Sequence, residues 1–144
     1  MAATILIVDD SKMVLQILRE ALEQDQHRVL EAGNGKEALA ILEKENPELV
    51  ITDINMPEMD GLALIQEVRK LPQHQYTPIL VVSTEGSDGM KKRGREHGAT
   101  GWLVKPFHPE QLRETARCAL SLREKTMSRF QVRNPSSEKV NPLS

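Results

Sequence analysis

Short apolar runs in this sequence stop at side chains that can do chemistry. ILIV (5–8) runs into Asp9-Asp10, and LVIT (49–52) runs into Asp53. ILVV (79–82) runs into Ser83-Thr84, and WLV (102–104) into Lys105. Alone, each has an ordinary reading: a turn aspartate, a loop hydroxyl, a solvated lysine. Brought to one place, they are a specific kit. Carboxylates in contact repel, and one pair at ~4 Å costs roughly 4 kcal/mol at an effective dielectric of 20. Hard oxygen donors with few protein ligands and room for water suit Mg²⁺. Lys105 adds a second positive charge, and Ser83 a hydroxyl donor. Such a set binds a phosphoryl group and stabilises its equatorial oxygens during transfer, with Asp53 as the attacking nucleophile.

The elements that must position this set follow from periodicity. Thr4–Val8 is apolar without alternation, as in a strand buried on both faces. Residues 12–24 carry Val14, Leu15, Leu18, Ala21 and Leu22 as a helical stripe. A second strand covers 28–32. Asn34 with Glu37 predicts an N-cap and its reciprocal partner, opening a helix over 35–45 that Asn46-Pro47 ends. Strands at 48–52, 79–82 and 102–104 alternate with helices at 61–71, 88–97 and, from Pro109, to about residue 126. Strand and helix thus alternate five times, which predicts an α/β fold: a doubly wound five-stranded parallel sheet with helices on both faces. All its strands end on one edge. In the flavodoxin-like order 2-1-3-4-5, strand order reverses between strands one and three, so Asp9, Asp10 and Asp53 converge there.

The chain has 144 residues, 28% of them charged, and a net charge of −2. Its length fits one domain, and its charge supplies no global field toward DNA or an acidic membrane. One cysteine, Cys118, excludes an intrachain disulfide and reads as a small core residue. The N-terminus lacks a signal-peptide pattern and no apolar run approaches the ~20 residues of a membrane span, so a cytoplasmic location is expected. Residues 1–126 form the expected domain. Residues 127–144 are polar, contain two prolines and lack periodicity, and read as a tail or linker stub.

The motifs ILIVDDS (5–11), VITDINMPEMDG (50–61), PILVVST (78–84) and GWLVKPF (101–107) resemble the receiver domain of bacterial two-component response regulators, of the single-domain chemotaxis type. The resemblance covers almost all of residues 4–126. It implies that Asp53 is the phosphoacceptor and Asp10 a direct Mg²⁺ ligand, with Asp9 helping, often through water. It implies that Asn55 offers its backbone carbonyl to the metal, that Ser83 shifts toward the phosphoryl group, that Lys105 pairs with that group, and that the Lys105–Pro106 bond is cis. Trp102 matches a switch aromatic that is usually Tyr or Phe. A sensor histidine kinase or phosphotransfer protein is the implied donor. Output would be a protein partner on the surface of helix four, strand five and helix five, with no direct nucleic-acid or membrane contact. The chain would act as a monomer or a phosphorylation-dependent dimer, and as a switch rather than an enzyme.

Several positions depart from the family pattern. Thr84 replaces the usual Ala and would narrow access to Asp53. His108 stands where Thr or Asp often caps the last helix, and a weaker cap would cost about 1 kcal/mol. Gly94 lowers the propensity of helix four by about 1 kcal/mol relative to Ala, which suits a bistable element. Lys91, Lys92, Arg93 and Arg95, with Arg113 and Arg117 on one face of the last helix, predict a basic surface for an acidic partner. Other classes fit less well. A haloacid-dehalogenase-type phosphatase needs an acid where Asn55 stands. A flavin-binding domain needs a phosphate-cradling loop where Asp9-Asp10 would repel one. A DNA-binding regulator needs a recognition helix after residue 126, unless the chain is a fragment with its output domain missing. A phosphorylation-independent docking module would leave the site residues without a use.

Overall fold

The computed structural model describes residues 2–131. Strands β1 (Thr4–Val8), β2 (Arg28–Ala32), β3 (Leu49–Thr52), β4 (Ile79–Ser83) and β5 (Gly101–Val104) alternate with helices α1 (Lys12–Glu23), α2 (Gly35–Lys44), α3 (Gly61–Lys70), α4 (Asp88–His97) and α5 (Pro109–Gln131). The strands form one parallel sheet in the order β2-β1-β3-β4-β5, as the alternation and the resemblance predict. The last helix runs past its expected end near 126 to Gln131. The rest of the expected tail, 132–144, lies outside the described residues.

The unbroken apolar strands are explained by two cores. Ile5, Ile7, Ile51, Leu80 and Val82 face α1 and α5 and pack with Leu18, Leu22, Leu112 and Ala116. Leu6, Val8, Val50, Ile79 and Val81 face α2 and α3 and pack with Leu42, Leu64, Ile65 and Val68. Each fully buried Leu, Ile or Val contributes about 1.5–3 kcal/mol relative to exposure, so both faces of the sheet are tied down.

Caps fix where the helices begin. The side chains of Ser11, Asn34, Asp60 and Ser87 accept from the backbone N–H of Val14, Glu37, Ala63 and Met90. Glu37 reaches back to the Gly33 N–H at 2.8 Å, one residue before the expected position. The start of α5 is better capped than expected. His108 Nδ1 accepts the Glu110 N–H at 3.3 Å, and Gln111 Oε1 accepts the His108 N–H at 2.8 Å, so imidazole and amide together form a reciprocal cap. Cys118, expected in the core, is exposed. The buried stripe of α5 runs through Leu112, Ala116 and Ala119, and Cys118 is offset from Ala119 by one residue, about 100° around the helix.

Candidate phosphoryl-transfer site

Register brings the carboxylates together. Val8 is opposite Thr52 on the neighbouring strand, so Asp9 and Asp53 leave the sheet side by side, and the Asp53 N–H donates to the Val8 carbonyl at 3.1 Å. Asp9, Asp10 and Asp53 each present an oxygen within 4.8 Å of the others. Asp9 and Asp53 are buried and Asp10 is exposed. From β5, Lys105 extends between them, with Nζ at 2.9 Å from Asp9 Oδ2 and 3.2 Å from Asp53 Oδ2. Its backbone N–H is held by the Ser83 carbonyl at 2.8 Å, and the Lys105–Pro106 bond is cis.

The electrostatics follow from this crowding. Burial pushes the Asp9 carboxyl above its usual range, against the Ser11 N–H and Lys105, which stabilise the charged form. Burial opposes charge on Lys105 too. The Asp9 hydrogen bond and the charges of Asp9 and Asp53 outweigh it, and its pKa is raised. One lysine against three carboxylates leaves an excess of negative charge at the carboxyl edge of the sheet. The oxygen donor set fits a hard divalent cation. Asp10 is open to solvent, and a groove lined by Asp9, Asp10, Lys12, Gln16 and Gly33 adjoins the cluster, leaving room for the waters that Mg²⁺ retains.

The loop after β3 is closed tightly around Asp53. Asp53 Oδ1 accepts the Ile54 N–H at 2.6 Å, and the Gly61 N–H donates to the Ile54 carbonyl at 2.8 Å. A Cβ at position 61 would lie 2.1 Å from the Asp53 carbonyl oxygen, so only glycine lets α3 start this close. Asn55 is exposed at the start of this loop.

Ser83 ends β4, fully buried, and its Oγ accepts the Glu85 N–H at 3.2 Å. Thr84 beside it is exposed. The carbonyl of Glu85 accepts the Trp102 indole N–H at 2.7 Å. One residue, Glu85, therefore connects the hydroxyl at the site to the aromatic on β5 through its two backbone groups. Trp102 is half-buried and covers Gly94, where an added Cβ would meet Cζ3 at 2.7 Å. Gly94, read from sequence only as a weak point of α4, is the notch that receives the indole. Neither link was legible, because one runs through backbone atoms and the other through a missing side chain.

The expected basic surface is smaller than its sequence. Arg113 and Arg117 do share a face of α5, but that face meets the α1–β2 turn. Arg113 pairs with Asp25 at 2.7 Å and Arg117 with the other oxygen of Asp25 at 3.5 Å, while Gln24 accepts from Arg113 at 3.1 Å. On α4, Lys92, Arg93 and Arg95 are exposed, Lys91 is half-buried, and none enters an ion pair among the described residues.

Comparison with known proteins decides the family. Residues 5–117 match the response regulator receiver domain. The chain belongs to that family. Its curated relatives include the transcriptional regulatory protein SrrA of Staphylococcus aureus, 37% identical over 112 residues, which are 78% of this chain and 45% of that protein. The chain thus spans less than half the length of the curated relatives it matches. Among solved structures, the chemotaxis response regulator CheY4 of Vibrio cholerae is 41% identical, with a TM-score of 0.80 over 83% of this chain and 99% of that one. NtrX from Brucella abortus is 30% identical, with a TM-score of 0.86 over 92% of this chain and 30% of that one. The match makes the chain a response regulator receiver domain of two-component systems. No helix among the described residues is long and apolar enough to cross a membrane.

Proposed function

We propose that this receiver domain, comprising residues 1–126, is switched by phosphorylation of Asp53 in the cytoplasm. The observation that carries the reading is Lys105 Nζ lying between Asp9 and Asp53, with Asp10 completing the acidic cluster. An Asp53 carboxylate oxygen attacks the phosphorus of a phosphohistidine on a sensor kinase or phosphotransfer protein. The new O–P bond forms as the P–N bond breaks, and the imidazole leaves with the electron pair. Asp9, Asp10, Asp53 and the Asn55 carbonyl would hold Mg²⁺, which supplies positive charge opposite the phosphoryl oxygens. Lys105 releases Asp9 and pairs with the phosphoryl group. Ser83 turns its hydroxyl from the Glu85 N–H toward the same group.

Phosphorylation adds roughly −1.5 to −2 charges and three acceptor oxygens. The loss of the Ser83–Glu85 bond releases the N–H of Glu85, the residue whose carbonyl, in the next peptide unit, accepts the Trp102 indole N–H. The surface of α4, β5 and α5 then changes, and a protein partner reads it. The unpaired cations of α4 favour acidic groups on that partner, whereas Arg113 and Arg117 are already committed to Asp25. A second reading concerns context. The chain spans 45% of SrrA and 30% of NtrX, which favours the same switch working as the input module of a longer regulator.

The test is intact-mass spectrometry after incubation with Mg²⁺ and a small acyl-phosphate donor. One phosphoryl increment on the wild type and none on Asp53→Asn is expected. No increment with any donor, kinase included, overturns the reading in favour of a docking module.

A further inference from the structure

Thr52, the last residue of β3, is fully buried, and a buried hydroxyl needs a hydrogen-bond partner. Its Oγ1 lies 2.8 Å from the Asp53 carbonyl oxygen and 4.0 Å from Met56 Sδ. A hydroxyl has one proton to donate, and the carbonyl is both the closer and the stronger acceptor. That carbonyl belongs to the peptide joining Asp53 and Ile54. The other end of the same peptide, the Ile54 N–H, donates to Asp53 Oδ1 at 2.6 Å. C=O and N–H of a trans peptide are rigidly coplanar and point in opposite directions. A hydroxyl that fixes the carbonyl therefore fixes the direction of the N–H, and the N–H fixes the carboxylate. Oδ2 is left for Lys105 at 3.2 Å. Gly61 lies close to the same carbonyl, which an added Cβ would approach to 2.1 Å.

We propose that the Thr52 hydroxyl is a positioning residue for phosphoryl transfer: by clamping the Asp53–Ile54 peptide it sets the rotamer of the Asp53 carboxylate and divides its two oxygens between a backbone donor and Lys105. This rests on the reading of Asp53 as phosphoacceptor. Without the hydroxyl the peptide can rotate, the Ile54 N–H no longer holds Oδ1, and the carboxylate samples orientations from which attack is out of line. A displacement well under the 1 Å that can cost 10²-fold predicts a loss of about tenfold in rate.

The experiment uses the full chain and two pairs that differ in the hydroxyl, Thr52 against Thr52→Val and Thr52→Ser against Thr52→Ala. For each, the rate of Asp53 phosphorylation by a small acyl phosphate at saturating Mg²⁺ is measured by intact mass, and the thermal midpoint by circular dichroism. The expected result is about a tenfold slower rate in Thr52→Val and Thr52→Ala, with Thr52→Ser within about twofold of wild type even where its midpoint falls. The small side chains of the second pair keep the test available if Val does not fold. Rates that follow the midpoints rather than the hydroxyl, or equal rates within each pair, overturn the proposal and leave Thr52 a satisfied core hydroxyl. A wild type that accepts no phosphoryl group overturns instead the phosphoacceptor reading, and this inference with it.

Discussion

Gly94→Ala sets two physical terms of opposite sign against each other in α4. Intrinsic propensity favours the substitution, since Ala in a helix interior is about 0.8–1.0 kcal/mol better than Gly. Packing opposes it. The new Cβ would lie 2.7 Å from Trp102 Cζ3 and 3.1 Å from Cε3. The indole is rigid, and its N–H is bonded to the Glu85 carbonyl at 2.7 Å, so it cannot step aside freely. Overpacking typically costs 1–3 kcal/mol, and loss of the indole hydrogen bond a further ~0.5–1.5 kcal/mol if the ring moves. Packing wins, and Gly94→Ala is expected to destabilise by about 0.5–2 kcal/mol. In a Trp102→Phe background the notch is no longer filled, and the same substitution should stabilise by up to about 1 kcal/mol. Urea denaturation of the four proteins of this cycle, with the emission of Trp102 followed in the two that retain it, checks both signs. Stabilisation by Gly94→Ala in the wild-type background with unchanged emission would refute the seating of the indole on Gly94.

Other expectations follow from the same structure. Gly61→Ala places a Cβ against the Asp53 carbonyl, where backbone must yield, and should cost several kcal/mol, at or above the ~1–3 kcal/mol typical of overpacking, and slow phosphorylation together with stability; denaturation and intact-mass rates check it. His27 and His74 are buried, and burial holds both imidazoles below their usual 6.5. His27 Nδ1 accepts the Ala3 N–H at 3.0 Å, a bond only the neutral ring can make. The unfolded chain therefore takes up these protons first: stability is fully present above about pH 6.5 and falls as pH drops from there toward the lowered folded values, by at most about 1.4 kcal/mol per pH unit for each histidine. Denaturant midpoints across this range should slope less in His27→Gln, and a flat wild-type profile would contradict the assignment.

The sheet edge was legible because parallel topology and strand length are written in the pattern. Unbroken apolar runs read as strands of a parallel sheet, their ends have to share an edge, and the residues at those ends are Asp9, Asp53, Ser83 and Lys105. The Asn34 cap was legible for a similar reason, being local, whereas the Ser11 and Ser87 caps emerged only from the structure. Contacts that depend on how elements meet were not. Helical spacing put Arg113 and Arg117 on one face without saying that the face meets Asp25. The same spacing left Cys118 ambiguous between the buried stripe and the surface next to it. Backbone-mediated links were the least visible: nothing in the type of Glu85 indicates that its N–H and C=O join Ser83 to Trp102, and Thr52 reads as one more β-former until its hydroxyl is seen on the Asp53 carbonyl.

Mg²⁺ at the acidic cluster and a phosphoryl group on Asp53 are expected to change the surroundings of β5. Trp102, the only tryptophan in the sequence, reports on it directly. Its fluorescence would be followed during a Mg²⁺ titration and then on addition of beryllofluoride, for the wild type and Asp53→Asn. Saturable changes at both steps are expected in the wild type, with the second absent in Asp53→Asn. A wild type whose emission ignores both additions, although the protein is folded, would contradict this.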